Sequence, residues 1–239
     1  MKIALIPARG GSKRLPRKNV APFGGKPMLA WTVEAALETG LFDSVIVSTE
    51  DPEIMSVAKS FGAEVLDRPL DIASDAATLL DVIQHSIDVL HSVDEVCLLL
   101  ANCPLRPASE ILRAQEQWSE QTPSALLSVV DYLWTPPFRA QSMDNEHRLT
   151  PLMPEWMEHK SQQYPDAVCL SGAIYWARAA DLKTTSTLTL DGIRGFKMPW
   201  HLAVDIDTHA DLKIAECVKY SLDRGFNFEH LQPAAKGVT

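Results

Sequence analysis

The sequence contains no apolar run that approaches the roughly 20 residues needed for a membrane-spanning helix. It also lacks a basic excess: its net charge of −9 argues against wholesale binding to nucleic acid. The start shows no signal-peptide pattern, because an apolar stretch leads directly into Arg9. Cysteine is scarce and forms no C-x-x-C pair, which argues against a zinc site or a disulfide framework. We therefore expect a cytoplasmic protein without membrane or nucleic-acid partners.

A basic, glycine-containing segment near the amino terminus stands out against this acidic background. Residues Ile3–Ile6 form an apolar run typical of a buried strand, and Pro7 ends it. Gly10 and Gly11 then allow a sharp turn and a close approach of the backbone to a ligand. Ten residues of this segment carry five cations: Arg9, Lys13, Arg14, Arg17 and Lys18. A cationic turn after a first strand is suited to a polyphosphate.

The best-known phosphate-loop patterns do not fit this segment. The G-x-x-x-x-G-K-[ST] pattern requires glycine immediately before lysine, whereas Ser12 precedes Lys13, and G-x-G-x-x-G is absent. Two other interpretations remain, a solvated charged face and a nuclear localisation patch over residues 13–18. The position favours a ligand site, because open parallel sheets bind ligands beyond the carboxyl ends of their strands.

Strand and helix patterns alternate along the first half of the chain. Strands are predicted at residues 2–7, 44–49, 64–66, 96–100 and 125–130, and helices at 27–39, 52–61, 76–91 and 107–119. Regular structure resumes at 171–177, followed by a strand that runs to Asp205 and a last helix over 208–224. Apolar strands that alternate with helices predict an α/β fold with a doubly wound, mostly parallel sheet.

The alternation is interrupted by residues 131–169, which are rich in proline and show little periodicity. A stretch of this length without regular elements is usually functional. We interpret it as an inserted lobe that covers substrate and meets a partner subunit; the alternative is a flexible surface excursion. Its large apolar side chains favour burial: Trp134, Phe138, Met153, Trp156 and Met157. The core would then comprise residues 1–130 and 170–226, with a tail over 227–239.

Two carboxylates, Asp205 and Asp207, are separated by one residue near the carboxyl terminus. In a strand, such residues face the same side, where their charges repel unless a cation bridges them. Mg²⁺ is suited to this arrangement, because it often binds one or two carboxylates together with substrate phosphates. The alternative is helix capping, but a capping box would use Thr208 and Asp211 and leave Asp205 unexplained.

Several motifs resemble those of the sugar-activating cytidylyltransferases, and most closely the acylneuraminate branch that handles nine-carbon sugar acids. The first is Ile6-Pro-Ala-Arg-Gly-Gly-Ser-Lys13, ending in Lys18-Asn19. Others follow in the family's order: Gly25–Met28, Val47–Thr49, Ser74–Thr78, Pro104–Arg106, Ser171–Tyr175 and Asp205–Asp207. The resemblance covers about residues 1 to 218. It implies a Rossmann-like nucleotidyltransferase fold, CTP and a sugar acid as substrates, Mg²⁺, and a homodimer joined through the lobe.

The resemblance also implies roles for individual residues. It assigns catalysis to Arg9, Lys13 and Asp207, and the metal to Asp205 and Asp207. The nucleotide is expected to contact Ala8, Arg9, Gly10, Gly11, Ser12, Lys13, Lys18, Asn19, Asp75 and Thr78. For Ser74, Asp75 and Thr78 helix capping is an equal alternative. Arg14 and Arg17 are interpreted as either part of the phosphate site or surface charge.

The sugar side departs from the sialate pattern. The candidates for substrate binding are Arg106, Lys160, Gln162, Gln163, Ser171 and Gly172, of which Arg106 could instead make a surface pair at a helix start. Leu100, Gln163 and Ser171 replace polar or charged sialate-type residues. This predicts a diacylamino-dideoxy nine-carbon acid of the legionaminic or pseudaminic type. The alternatives are a 3-deoxy-manno-octulosonate cytidylyltransferase, which Arg14-Leu-Pro also resembles, and a non-catalytic nucleotide-binding subunit.

Overall fold

The computed structural model describes residues 1–132 and 136–228. The strands are β1 Lys2–Pro7, β2 Pro22–Phe23, β3 Lys26–Pro27, β4 Ser44–Thr49, β5 Glu64–Asp67, β6 Glu95–Leu98, β7 Ala125–Asp131, β8 Gln141–Met143, β9 Leu149–Pro151, β10 Val168–Arg178 and β11 Arg194–Lys197. The helices are α1 Met28–Glu38, α2 Pro52–Ser60, α3 Leu79–Leu90, α4 Ala108–Gln121, α5 Ala179–Thr184 and α6 His209–Leu222. No helix within these residues is both long and apolar enough to cross a membrane.

Seven strands form the central sheet in the order β11-β7-β10-β6-β1-β4-β5. Strands β1, β4, β5 and β6 run parallel to one another, whereas β10 is antiparallel to both β6 and β7. Alternate residues of β1 enter two separate cores: Ala4 and Ile6 on one face, Ile3 and Leu5 on the other. Both faces of the sheet are therefore covered, which confirms the predicted doubly wound, mostly parallel α/β fold.

Several predicted bounds shift by one to three residues, and two differences have a clear local cause. Helix α3 begins at Leu79 and not at residue 76, because Thr78 caps it: the Asp81 N–H donates to Thr78 Oγ1 (3.2 Å) and the Thr78 N–H to the Asp81 carboxylate (2.7 Å). The strand predicted to reach Asp205 is wrong. β11 ends at Lys197, and Pro199, which has no N–H to donate to a sheet, precedes a short 3-10 turn.

Within 131–132 and 136–169, the described part of the stretch 131–169, lie the β8–β9 hairpin and three short 3-10 turns. Phe138 and Tyr164 are buried within it, with ring centroids 4.9 Å apart, and Trp156 packs 5.3 Å from Phe138. Aliphatic side chains, by contrast, are exposed here: Met143, Leu149 and Leu152, with Val168 and Leu170 of β10 beside them. Trp134 and residues 229–239, which the sequence assigns to the lobe and the tail, lie outside the described residues.

Candidate functional site

A cleft of about 470 Å³ opens where β1, β5 and β6 end. It brings together residues from distant parts of the chain, as expected for the carboxyl edge of a parallel sheet. Among the residues predicted for the site, the cleft is lined by Arg9, Ser12, Lys13, Lys18, Asn19, Asp75, Thr78 and Asp207. Ala8, Gly10 and Gly11 belong to the same loop and shape its backbone.

The basic loop is fastened at both of its ends. The Gly10 N–H donates to Glu50 Oε1 (2.7 Å), and the Asn19 side-chain amide donates to the Arg9 carbonyl (2.9 Å). A Cβ at Gly10 would lie 2.5 Å from Asp51 Oδ2, so the loop approaches the start of α2 more closely than a side chain permits. These contacts fix the backbone from which Lys13 projects.

Arg17 anchors the loop from its outer side. Its guanidinium donates to both oxygens of Asp51 (2.5 and 2.9 Å) and pairs with Glu53. Asp51 also caps α2, and the hydrogen bond from Arg17 is the main reason why its pKa falls to about 2. Arg17 has a left-handed backbone (φ 57°), which is unfavourable for a residue with a Cβ. Its charge is therefore used to hold the loop, and Arg17 is not among the residues that line the cleft.

The remaining four cations of the loop are shared between two carboxylates. Asp75 bridges Arg9 Nη1 (2.8 Å) and the Lys13 ammonium. Asp207 bridges Lys18 Nζ (2.7 Å) and the Arg14 guanidinium. Arg14 thus belongs to the cleft and is not isolated surface charge. The arrangement places two anions where cations converge, which is the geometry that a chain of phosphates also requires.

Asp205 and Asp207 do face the same side, although no strand holds them. The Asn102 side-chain amide donates to Asp205 Oδ1 and lies 3.3 Å from Asp207 Oδ1, while the Ile206 N–H donates to the Asn102 carbonyl (2.9 Å). The capping box of Thr208 and Asp211 is also present, so capping and the carboxylate pair coexist.

The two carboxylates have opposite pKa shifts. Loss of solvation, followed by the charge of Asp207, raises the pKa of Asp205 to about 6. Burial also opposes ionisation of Asp207, but the hydrogen bond and charge of Lys18, together with Arg14, lower its pKa overall. Burial and the neighbouring charge of Asp207 therefore both disfavour the ionised form of Asp205, and nearby positive charge would favour it. One divalent cation with oxygen ligands would supply that charge.

A metal ion at this point would be held by Asp205 and Asp207 together with phosphate oxygens of a bound substrate. Among the described residues, no group of three or more histidine, cysteine, aspartate or glutamate side chains could hold a metal ion. Two carboxylates nevertheless fit Mg²⁺, which commonly uses one or two of them and takes its other ligands from phosphates and water. The donor set is therefore compatible with Mg²⁺ and unsuited to zinc.

The predicted sugar-side residues do not all converge on the cleft. Lys160, Gln162 and Gln163 are exposed around a 3-10 turn in the lobe, and none of them lines it. Leu100 lines the cleft, and Gly172 packs against Leu100: a Cβ at Gly172 would approach Leu100 Cδ1 to 3.0 Å. Ser171 lies next to Gly172, with its hydroxyl 2.7 Å from that of Ser128.

Arg106 is placed differently from either interpretation of the sequence. It is 1% exposed, and its guanidinium donates to the Ala173 carbonyl and to Thr32 Oγ1 (3.1 Å). The surface pair predicted as an alternative is therefore wrong. Its two terminal nitrogens are occupied by protein, which argues against contact with a sugar carboxylate.

Sequence reasoning missed three residues of the site. Asn102 follows β6 and joins the carboxylate pair; Glu50 follows β4 and holds the Gly10 amide. Arg68 follows β5 and lines the cleft, where it donates to Ser48 Oγ (3.2 Å); burial lowers its pKa to about 10. The available signal was positional, because each is a polar residue just after a strand of the parallel sheet.

Comparisons with known proteins identify the family of the chain. A family model described as cytidylyltransferase matches residues 3–151. The chain is 32% identical to a pseudaminic acid cytidylyltransferase of Campylobacter jejuni over 219 residues, 90% of this chain and 94% of the relative. It is also 32% identical to N-acylneuraminate cytidylyltransferase B of Danio rerio, covering 90% of this chain and 50% of that protein.

A solved structure shows the same fold at lower identity. It is a CMP:2-keto-3-deoxy-manno-octonic acid synthetase in complex with CTP, with a TM-score of 0.70 and 18% identity over 92% of this chain and 99% of that one. The resemblance in fold, the matched family model and the relatives that align over nearly the whole chain all agree. The chain belongs to the cytidylyltransferase family.

Proposed function

We propose that the protein transfers CMP from CTP to the anomeric hydroxyl of a nine-carbon sugar acid and releases pyrophosphate. The observation that carries this proposal is the cleft, in which the basic loop meets Asp207 and Asn102, and the Asn102 amide also holds Asp205. Cations on one side suit the leaving pyrophosphate, and carboxylates on the other suit a magnesium ion. Similarity to the pseudaminic acid and N-acylneuraminate enzymes supports the nine-carbon acid.

The residues of the cleft act mainly by positioning and by neutralising charge, as is usual in phosphoryl-type transfer. Arg9 and Lys13 neutralise the charge that develops on the departing pyrophosphate, and Lys18 holds the nucleotide beside Asp207. When bound, Mg²⁺ supplies positive charge at the phosphate and at the attacking hydroxyl. Asp207 contributes its negative charge to the carboxylate pair and is held between Lys18 and Arg14.

The experiment that tests this function is pyrophosphate release from CTP with a panel of sugar acids, with product masses measured directly. We expect release that requires both Mg²⁺ and a nine-carbon acid. Activity with 3-deoxy-manno-octulosonate alone would favour the eight-carbon alternative. Binding of CTP without turnover on any acid would indicate a non-catalytic subunit.

The same panel tests the choice of sugar. Leu100 offers no hydrogen bond in the cleft, and we therefore expect a legionaminic- or pseudaminic-type acid to be preferred over N-acetylneuraminate. A missing hydrogen bond discriminates by roughly 1–3 kcal/mol, so kcat/KM is the quantity to compare. Leu100→Gln should shift the ratio towards N-acetylneuraminate; a wild type that already prefers this acid would contradict the assignment.

Assembly and location complete the proposal. The exposed aliphatic side chains of the stretch 131–169 support a homodimer contact through this lobe, since clustered apolar surface is characteristic of interfaces. Phe138 and Trp156, two of the large apolar residues that the sequence analysis places in the lobe, pack against each other within the chain. All four cysteines are free thiols, which supports a reducing compartment such as the cytoplasm.

A further inference from the structure

The Asp75 side chain does not cap the helix that follows it, and its ion pairs are with the basic loop. The segment that carries Asp75 connects β5 to α3 through a 3-10 turn over Leu70–Ala73. The helix that follows is capped by Thr78 and Asp81, so capping does not use Asp75. Its carboxylate instead reaches across the cleft to the basic loop, where one oxygen meets Arg9 Nη1 at 2.8 Å and the other meets the Lys13 ammonium.

This contact occupies the two side chains that the proposed function assigns to pyrophosphate. Asp75 presents two oxygens and one negative charge to two cations, as a single phosphate group would. Its pKa is lowered, first by the hydrogen bond from Lys13, so the carboxylate is charged at neutral pH. A phosphate chain that enters the cleft must separate Asp75 from both cations, because a carboxylate and a phosphate beside each other repel.

The corresponding contact at Asp207 is built more firmly. Asp207 lies beside the Asn102 amide, and its backbone N–H donates to Asp211 Oδ2 (3.1 Å). The side chain of Asp75 is 47% exposed, and that of Lys13 is 79% exposed. Exposed ion pairs of this kind contribute little and are exchanged easily. Asp75 is therefore the partner that can be displaced.

We propose that Asp75 is an internal counter-ion of Arg9 and Lys13. The phosphate chain displaces it from both cations, and Asp75 pairs with them again when pyrophosphate leaves. This inference rests on the proposed function. It makes Asp75 a competitor of the phosphates and not a ligand of the nucleotide. Its effect is to reduce the positive charge of the loop when the cleft is empty and to prevent pyrophosphate from being retained after transfer.

The test is Asp75→Asn, with binding of inorganic pyrophosphate, CTP and CMP measured by calorimetry. We expect pyrophosphate and CTP to bind roughly threefold to tenfold more tightly, the scale of two exposed ion pairs. Binding of CMP, which lacks the phosphates that reach Arg9 and Lys13, should change less than twofold. Asp75→Ser should behave in the same way and provides a second variant if the first is poorly folded.

Asp71→Asn is the matched control, because it removes the same charge from the same segment. The Asp71 carboxylate accepts the Ile72 N–H and is not an ion-pair partner of the loop. We expect its affinity for pyrophosphate to equal that of the wild type. Equal tightening in Asp71→Asn would overturn the proposal in favour of general electrostatics, and unchanged or weaker binding in Asp75→Asn would also overturn it. If the wild type releases pyrophosphate in the turnover assay, either result refutes this inference alone.

Discussion

The cleft and the lobe of residues 131–169 distribute their side chains in opposite ways. In the cleft, every cation of the basic loop has a carboxylate partner within the same chain. In the lobe, aromatic rings pack inside while Leu149 and Leu152, each 62% exposed, face outward. Each cation of the basic loop thus has a partner within the chain, whereas the exposed aliphatic side chains of the lobe have the character of a surface that contacts another molecule.

This difference predicts how the two regions respond to substitution. Residues of the cleft should affect turnover and leave assembly intact, and residues of the lobe surface should do the reverse. The strongest test is the double variant Asp205→Asn with Asp207→Asn. We expect turnover to fall by roughly 10³-fold or more, because electrostatic stabilisation at the phosphate is lost.

The single variants of this pair separate metal binding from repulsion. Each should require more Mg²⁺ for pyrophosphate release. In the metal-free protein the melting temperature of Asp205→Asn should rise, because burial and the charge of Asp207 disfavour the ionised Asp205. That of Asp207→Asn should not rise, because Asp207 also pairs with Lys18 and Arg14. Pyrophosphate release and thermal melting, both measured against Mg²⁺ concentration, provide the data. If both single variants keep the activity and metal response of the wild type, the metal assignment is wrong.

Lys13→Ala should produce the next largest effect. Its ammonium is exposed, so the fold should persist while turnover falls on the order of 10²-fold. Arg148→Ala is its counterpart in the lobe: Arg148 is similarly exposed and pairs with Asp144 and Glu146. This variant should retain wild-type turnover. Circular dichroism with steady-state kinetics decides the matter, and a folded Lys13→Ala enzyme of near-normal activity would exclude the phosphate role.

The lobe is tested by Leu149→Asp combined with Leu152→Asp. Two negative charges on an apolar contact should raise the dimer dissociation constant at least about tenfold, because each carboxylate would have to lose its water to be buried in the interface. Leu70→Asp, at a 79% exposed leucine outside the lobe, should leave the dimer unchanged. Sedimentation equilibrium gives the dissociation constants. A wild-type protein that is monomeric at micromolar concentration would refute the contact altogether.

The smallest expected effect is the pH dependence of the anchor at Asp51. Its pKa is about 2 in the folded protein and ordinarily near 3.8, so its ionised form stabilises the fold. This contribution is present above pH 4 and is lost as the pH falls towards 2. Asp51→Asn keeps the helix cap and removes the charge, and it should therefore cost about 1 kcal/mol or less at neutral pH.

Urea unfolding at pH 7 and pH 3 measures this contribution. The difference between Asp51→Asn and wild type should shrink at the lower pH. Asp144→Asn supplies the comparison in the lobe, where the Asp144–Arg148 pair is solvated and should matter less. A difference for Asp51→Asn that is independent of pH would show that Arg17 does not act through the charge of Asp51.

The sequence predicted the basic loop and the parallel strands because their signals are local. A glycine pair with five cations and continuous apolar runs need no knowledge of distant residues. The roles of Asn102 and Arg106 could not be predicted in this way, since both depend on partners about 70 to 100 residues away. The carboxylate pair was placed on one side for the wrong reason: a hydrogen bond to the Asn102 carbonyl, and not strand geometry, orients it.

The buried guanidinium of Arg106 also bears on how the chain is made. Its acceptor in β10, the Ala173 carbonyl, is synthesised 67 residues later than the arginine itself. Strand β7 is likewise joined to β6 only through β10. As the chain emerges from the ribosome, the first 130 residues therefore hold an open sheet edge at β6, and Arg106 is still without its acceptor in β10. These first 130 residues should not become stable until β10 has been synthesised, so that folding is completed late in translation.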